Sequence, residues 1–272
     1  MHRRAPVKSR LLWAALTLVA FVIFVFLLAP ILIIVPLAFN AGNELSFPLT
    51  GFSLRWFEEF FRSPTWLGAL KNSLAIGAGT TAVSVVIGTA ASLGFWNLRG
   101  PVSVTVRSVV LAPLVVPTVI VGAGMYFVFS SVGLAQTYAG LVLAHATLAL
   151  PFQFVTTTAA LANLDQRQLW AAASMGAGPF RRFRSVTFPI ALPGILTGML
   201  FSFATSFDEV VVTLFLSGPG QRTLPREMFT AAKEFLTPTI AAAATLMIGI
   251  STIFLIAFLA LRSRGGGSGF TD

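Results

Sequence analysis

The sequence predicts an all-α integral membrane protein with six transmembrane helices. Its 272 residues are 56% hydrophobic and only 10% charged, and their mean hydropathy is +0.86. Such values exclude a soluble globular domain. A spanning helix needs about 20 apolar residues, so a chain of this length has room for roughly six spans and no large aqueous domain. We therefore expect residues 1–272 to form one membrane domain.

Six apolar stretches follow one another along the chain, each long enough to cross a bilayer. The first, 11–39, is too long for the core of a signal peptide and lacks a clear cleavage site, so we expect an uncleaved span. The others lie at about 70–96, 102–130, 137–161, 190–216 and 239–261. Prolines within the spans, Pro117 among them, should kink or end their helices. The glycine-rich end, 263–272, is expected to be disordered.

Basic residues alternate between the segments that join these spans. Twelve of the 18 lysines and arginines fall in the N-terminal block, around 99–107, in 167–184 and in the C-terminal tail. The segments on the other side contain the remaining six lysines and arginines, and five glutamates offset most of their positive charge. The positive-inside rule therefore predicts that both termini are cytoplasmic. Short basic blocks between apolar runs do not indicate nucleic-acid binding.

Two segments on the external side are predicted to contain helices. Residues 54–62, within 40–69, alternate aromatic and charged residues at helical spacing, with Leu54, Phe57, Phe60 and Phe61 on the apolar side. This pattern is typical of an amphipathic helix at the membrane surface. Two interpretations stay open for it, a solvated cap over the spans and a contact with an external partner. Residues 217–238 begin with turn signals and then indicate a short helix.

Ionisable residues are few within the predicted spans. Asp208 and Glu209 lie past the middle of the fifth span, where an unpaired carboxylate costs at least about 2.5 kcal/mol. They either attract cations to a polar pathway or pair with an arginine or a neighbouring subunit. His145 has no histidine or carboxylate at ligand spacing, so we expect a packing residue and no metal site. We expect no catalytic residues either, because no nucleophile has a base beside it.

The polar segment 164–189 separates the fourth and fifth spans on the predicted cytoplasmic side. Asn163 or Asp165 can cap a short helix there. Small or apolar residues recur on this helix at helical spacing and leave one face nearly bare: Leu169, Ala172, Ala173 and Gly176. Because a bare face allows close contact, it suits docking to another protein.

A second short helix is predicted to follow the first at an angle. Gly176 and Gly178 can end the first helix, and Pro179 suits the first position of the next. Phe180 and Phe183 would give the second helix an apolar side beside several arginines. The two helices together would fit into a cleft on the surface of a partner protein. A plain solvated loop is the alternative, but it gives no reason for phenylalanines beside an alanine stripe.

This loop resembles the signature of a known family. Trp170, Ala171 and Ala172 with Gly176 and Ala177, then 186–189, are similar to the E-A-A-x3-G and I-x-L-P pattern of binding-protein-dependent permeases of the ATP-binding-cassette class. Trp170 stands where the family usually has glutamate. Further similar stretches are 111–122, 143–152, 206–220, 223–225 and 244–249. They narrow the resemblance to the second permease of spermidine/putrescine-type importers.

The resemblance implies a type I importer permease bundle with cytoplasmic coupling helices, located in the bacterial cytoplasmic (inner) membrane. Its partners would be the lipid bilayer, two ATPase subunits, a second related permease and an extracytoplasmic solute-binding protein. ATP and magnesium would bind to the ATPase, since this chain lacks a P-loop. The implied coupling residues are Leu169, Trp170, Ala171, Ala172, Gly176, Ala177, Phe180, Arg181, Phe183 and Pro189. Asp208 and Glu209 would belong to a pathway for a small cationic solute, a polyamine or similar.

Two other classes of membrane protein stay open as alternatives. A secondary transporter or channel driven by an ion gradient can also carry membrane carboxylates, but it gives no purpose to residues 169–183. A membrane scaffold could recruit a cytoplasmic partner without transporting anything. Association with an ATPase distinguishes the importer from the first alternative, and solute uptake distinguishes it from the second.

Overall fold

The computed structural model describes residues 7–234 and 236–265, which form twelve α-helices and no β-strand. The helices are α1 (Val7–Ala38), α2 (Arg55–Arg62), α3 (Pro64–Phe95), α4 (Pro101–Val115), α5 (Thr118–Ser131), α6 (Tyr138–Leu161), α7 (Gln166–Ser174), α8 (Pro179–Arg182), α9 (Phe188–Phe207), α10 (Val211–Leu216), α11 (Leu224–Glu234) and α12 (Pro238–Gly265). Because α12 continues to Gly265, the first three residues of the tail that we expected to be disordered are helical. The rest of that tail, 266–272, lies outside the described residues, as do residues 1–6.

Five helical segments of the described chain are long and apolar enough to cross a bilayer. They are Ala15–Ala38, Pro64–Phe95, Tyr138–Leu161, Pro179–Phe207 and Pro238–Ala260. Helices α4 and α5 supply a sixth crossing when they are taken together as one broken span. The prediction of an all-α membrane protein is confirmed.

The third predicted span, 102–130, is divided into α4 and α5, which meet at an angle of 106°. Val116, between them, has extended backbone angles, φ −77° and ψ 130°. Pro117 accounts for this geometry, because a proline disfavours the helical conformation in the residue before it and has no amide proton to donate. The expectation that Pro117 ends a helix is therefore confirmed.

The fifth predicted span, 190–216, differs from the structure at both ends. Helicity begins earlier, at Pro179, because α8 continues into α9 through a π-helical turn at Phe183–Thr187. The second short helix of the polar loop is thus the first turn of a 29-residue membrane segment and not a separate element. That segment ends at Phe207, and α10 begins only at Val211.

Helix α6 lies at the centre of the bundle, packed against α3 and α9. Gly194 of α9 lies so close to α6 that a Cβ atom there would come within 2.4 Å of the Thr156 carbonyl oxygen and 2.6 Å of the Ala160 Cβ. Small residues at such crossings let membrane helices approach closely and gain van der Waals contact. The α6–α9 contact therefore depends on the absence of a side chain at Gly194.

The two segments that we predicted to be external form helices, but α2 buries only part of its predicted apolar side. Phe60 is buried as predicted, and so is Trp56, whose Nε1 donates a hydrogen bond of 2.8 Å to the Asn40 carbonyl. Leu54 and Phe61, which we also assigned to the apolar side, are about half exposed. Helix α2 packs against α3 and α12, so it covers the end of the bundle at which those two helices begin.

The turn before α11 is held by the third turn of α3 and the first residue of α6. Asn72 Nδ2 donates to the carbonyl oxygens of Gly220 and Arg222, at 3.0 and 2.9 Å. The Tyr138 hydroxyl donates to Asn72 Oδ1 at 2.8 Å and orients that amide. Three segments that are distant in the sequence are joined on this side of the bundle.

We expect Gly194→Ala to destabilise the isolated chain by about 1–3 kcal/mol, because the obstructing Thr156 oxygen belongs to the backbone and cannot rotate away. Gly124→Ala in α5 is the matched control, since nothing lies within 4 Å of a Cβ at that position. Thermal unfolding of the detergent-solubilised protein would measure the difference. Equal melting temperatures for the two variants would contradict the close packing of α6 on α9.

Candidate functional site

Asp208 and Glu209 lie in the break between α9 and α10, not within a continuous helix. The Glu209 carboxylate accepts a hydrogen bond of 2.8 Å from the Val212 amide in the first turn of α10. In an unbroken helix that amide would donate to the carbonyl of Asp208, four residues earlier. The side chain of Glu209 thus replaces a backbone acceptor and stabilises the break.

The Asp208 side chain is exposed, in contrast to Glu209, which is partly buried. No hydrogen bond or ion pair joins its carboxylate to any other residue in the part of the chain that the structure describes. Of the two carboxylates, Asp208 is therefore the one free to meet a solute or another subunit. No arginine of this chain pairs with it in the described ranges.

His145 of α6 is fully buried beside this break, which agrees with its assignment as a packing residue. Its Nδ1 lies 2.9 Å from Ser206 Oγ, at the end of α9, and its Nε2 lies 3.1 Å from Thr213 Oγ1, in α10. Ser206 also lies 3.3 Å from Thr80 Oγ1 of α3. Four helices are joined here by polar groups, whereas sequence reasoning treated each of these residues alone.

The first helix of the polar loop, α7, begins and ends as the sequence predicts. Asp165, and not Asn163, caps it by accepting a hydrogen bond of 2.9 Å from the Arg167 amide. Gly176 ends it in the left-handed conformation, with φ +80°. The Gly176 amide donates to Ala173 at 2.9 Å and the Ala177 amide donates to Ala172 at 3.0 Å, which together form a Schellman motif.

The bare stripe on α7 is divided between the interior and the surface. Leu169 packs against a buried cluster of α6 and α9, and Ala172 is buried, whereas Ala173 and Gly176 are exposed. Of the other residues implied in coupling, Ala171, Arg181 and Pro189 are exposed and Ala177 is partly buried. Phe183 is 37% exposed.

Three large apolar side chains lie on the surface of this loop. Trp170 is 64% exposed, Met175 81% and Phe180 75%. Met175 was not singled out from the sequence, although it lies two residues after Ala173. We call Trp170, Met175 and Phe180 the apolar loop surface. Exposed apolar groups of this size on a polar segment are typical of a protein interface.

A comparison with known families identifies one whose pattern fits most of the chain. The family described as "Binding-protein-dependent transport system inner membrane component" matches residues 84–264. The match includes α7, the polar loop, the break at Asp208 and the buried His145.

Individual relatives are similar over nearly their full lengths. The chain is 30% identical to the spermidine/putrescine transport system permease protein PotC of Haemophilus influenzae, over 87% of this chain and 91% of the relative. It is 32% identical to the putrescine transport system permease protein PotI of Escherichia coli K12, over 87% and 86%.

Solved structures share the fold at lower sequence identity. A chain of a bacterial ABC transporter involved in the import of alginate superimposes with a TM-score of 0.75 at 15% identity, covering 95% of this chain and 97% of that one. A chain of the MetNI methionine ABC transporter, in an inward-facing conformation, gives 0.65 at 17% identity, covering 79% and 99%.

We expect Gly176→Ala to loosen the end of α7, because a left-handed backbone costs a residue with a Cβ roughly 1–2 kcal/mol. Space is not the cause, since nothing lies within 4 Å of a Cβ there. Hydrogen exchange of the amides in 172–177 should become about fivefold faster or more. Gly178→Ala is the control, because its φ of −66° suits any residue and its Cβ also meets nothing. Equal exchange in the two variants would refute the conformational argument.

Proposed function

Because this chain belongs to the family of binding-protein-dependent transport system inner membrane components, we propose that it is the permease of an ATP-driven importer for a polyamine or a similar small organic cation. Members of this family carry no ATPase site. The solute is proposed from two independent supports, which are the polyamine permeases among the relatives and the chemistry of the break at Asp208.

The observation that carries the cationic solute is the exposed, unpaired carboxylate of Asp208. A carboxylate between two apolar helices of a membrane protein is costly unless it meets water or a cation. Ammonium groups, which carry the opposite charge, also lose their hydration at a free-energy cost when they pass a constriction of low dielectric. Asp208 lowers both costs when it faces the pathway, whereas Glu209 is engaged with Val212 and acts as a structural support.

The apolar loop surface is proposed to dock into the ATPase. Trp170, Met175 and Phe180 expose apolar area that water does not favour, and a cleft in a partner would cover it. Arg181 and Arg184 are exposed beside Phe180 and add charged contacts at the rim of this interface. Leu169 and Ala172 instead fix α7 to its own bundle, so that movement of the docked loop is passed on to the spans.

The remaining partners follow from the same assignment. We propose two ATPase subunits, which bind ATP and magnesium, a second related permease, and an external binding protein that contacts the α2 and α11 side. The distribution of basic residues supports an orientation in the inner membrane with both termini cytoplasmic. The apolar loop surface then lies on the side where ATP is available.

We expect Asp208→Asn to lower putrescine or spermidine uptake at least about tenfold in proteoliposomes that contain the complete importer. Assembly and ATP hydrolysis should persist, because the substitution is isosteric and far from the ATPase. Glu44→Gln is the matched control, since the exposed carboxylate of Glu44 lies outside both α2 and α11. Unchanged uptake in Asp208→Asn would remove Asp208 from the pathway.

We expect Phe180→Ser to weaken ATPase binding by about 2 kcal/mol, or roughly 30-fold in dissociation constant. Stimulation of ATP hydrolysis by the loaded binding protein should fall with it. Leu98→Ser removes an exposed apolar side chain outside the apolar loop surface and outside α2 and α11, so it should leave both measurements unchanged. A permease that binds no ATPase even in its wild-type form would exclude the importer and favour a transporter driven by an ion gradient.

A further inference from the structure

The break between α9 and α10 contains no proline or glycine, so another constraint must hold it open. The residues on either side of it, Ser206 and Thr213, are both buried and both bond to the ring of His145. His145 belongs to α6, more than sixty residues away in the sequence, and reaches one flank of the break with each ring nitrogen. The histidine thus connects the two halves of a divided membrane segment.

This bridge fits the broken segment but not a continuous helix. In an unbroken α-helix, Ser206 and Thr213 would be separated by roughly 10.5 Å along the axis, at 1.5 Å per residue. The two hydrogen bonds, of 2.9 and 3.1 Å, together with the width of one imidazole ring reach less than that axial separation, so a continuous helix would stretch the bridge. The broken segment therefore suits both hydrogen bonds better than a continuous helix does.

The hydrogen bonds around His145 can run in either direction. When Thr213 donates its single hydroxyl proton to the Glu209 carbonyl at 3.2 Å, it accepts from a protonated Nε2, and Ser206 donates to Nδ1. When Thr80 donates to the Val142 carbonyl at 3.4 Å, Ser206 donates to Thr80 at 3.3 Å and accepts from a protonated Nδ1. In both arrangements the neutral ring offers one donor and one acceptor and bridges the two hydroxyls.

We propose that His145 is a positioning residue of the pathway, which holds the segment in its broken form so that Asp208 is presented outside the helix. It touches no solute. The role of Asp208 rests on the proposed function, but the bridge across the break does not. An apolar residue of similar size would remove one hydrogen-bond partner from each of the two buried hydroxyls, Ser206 and Thr213. The segment would then lose the bridge across its break, while a continuous helix would regain its missing backbone bonds.

The direct test is a distance across the break. The chain has no cysteine, so Phe188→Cys with Leu214→Cys places spin labels at only two sites, both exposed. The two positions would be roughly 39 Å apart in a continuous helix. In the complete importer in nanodiscs, we expect one narrow and shorter distance for this pair.

Introducing His145→Ala into the labelled protein should broaden the spin-label distance distribution and move it toward the longer value. His145→Gln should restore the narrow distance, because an amide offers one donor and one acceptor. Thr213→Val removes a single hydroxyl at constant shape and should act like His145→Ala. Thr81→Val is its control, since the Thr81 hydroxyl bonds only within its own helix, to Gly77 at 2.7 Å. An unchanged distance in both His145→Ala and Thr213→Val would overturn the proposal.

Uptake provides the second readout. We expect His145→Ala to lower the rate at saturating polyamine about tenfold with little change in KM, and His145→Gln to recover most of it. A loss that His145→Gln does not recover, with the distance unchanged, would count against positioning. If the wild-type importer moves no polyamine, the proposed solute fails, and the spin-label distances still decide whether His145 holds the break.

Discussion

The structure depends on one constraint, which is that polar groups away from water must find partners within the protein. Membrane helices normally meet it with their own backbone, but the segment that ends at Phe207 does not continue. The carboxylate of Glu209 and the hydroxyls around His145 take over as partners. Because those hydroxyls belong to α3, α9 and α10, this one region also fixes how the central helices are placed.

The sequence was sufficient to predict those features of the fold that depend on residues close together along the chain. Hydropathy located the membrane helices, Pro117 marked the bend between α4 and α5, and Gly176 marked the end of α7. The break at Asp208 could not be predicted in this way, because no proline or glycine lies in it and the apolar residues resume directly after Glu209. Its stabilising partner, His145, is brought there only by the packing of α6 against α9.

The polar loop shows a second limit of sequence patterns. Helical spacing placed Leu169, Ala172 and Gly176 on one face, but the structure turns only Leu169 and Ala172 inward and leaves Gly176 exposed beyond the end of α7. Leu169 and Ala172 face the bundle, because the buried apolar cluster of α6 and α9 beneath α7 is covered by this face of the helix. Trp170 and Phe180 are left outside, so the loop both anchors itself and keeps an apolar surface exposed.

The π-helical turn between α8 and α9 has a mechanical consequence. Because helicity is continuous from Pro179 to Phe207, one helical segment about 43 Å long carries Phe180 near one end and Ser206 near the other. No flexible linker separates the exposed loop from the bridged hydroxyl. A tilt imposed at the loop therefore acts on the same helix that His145 bonds at its far end.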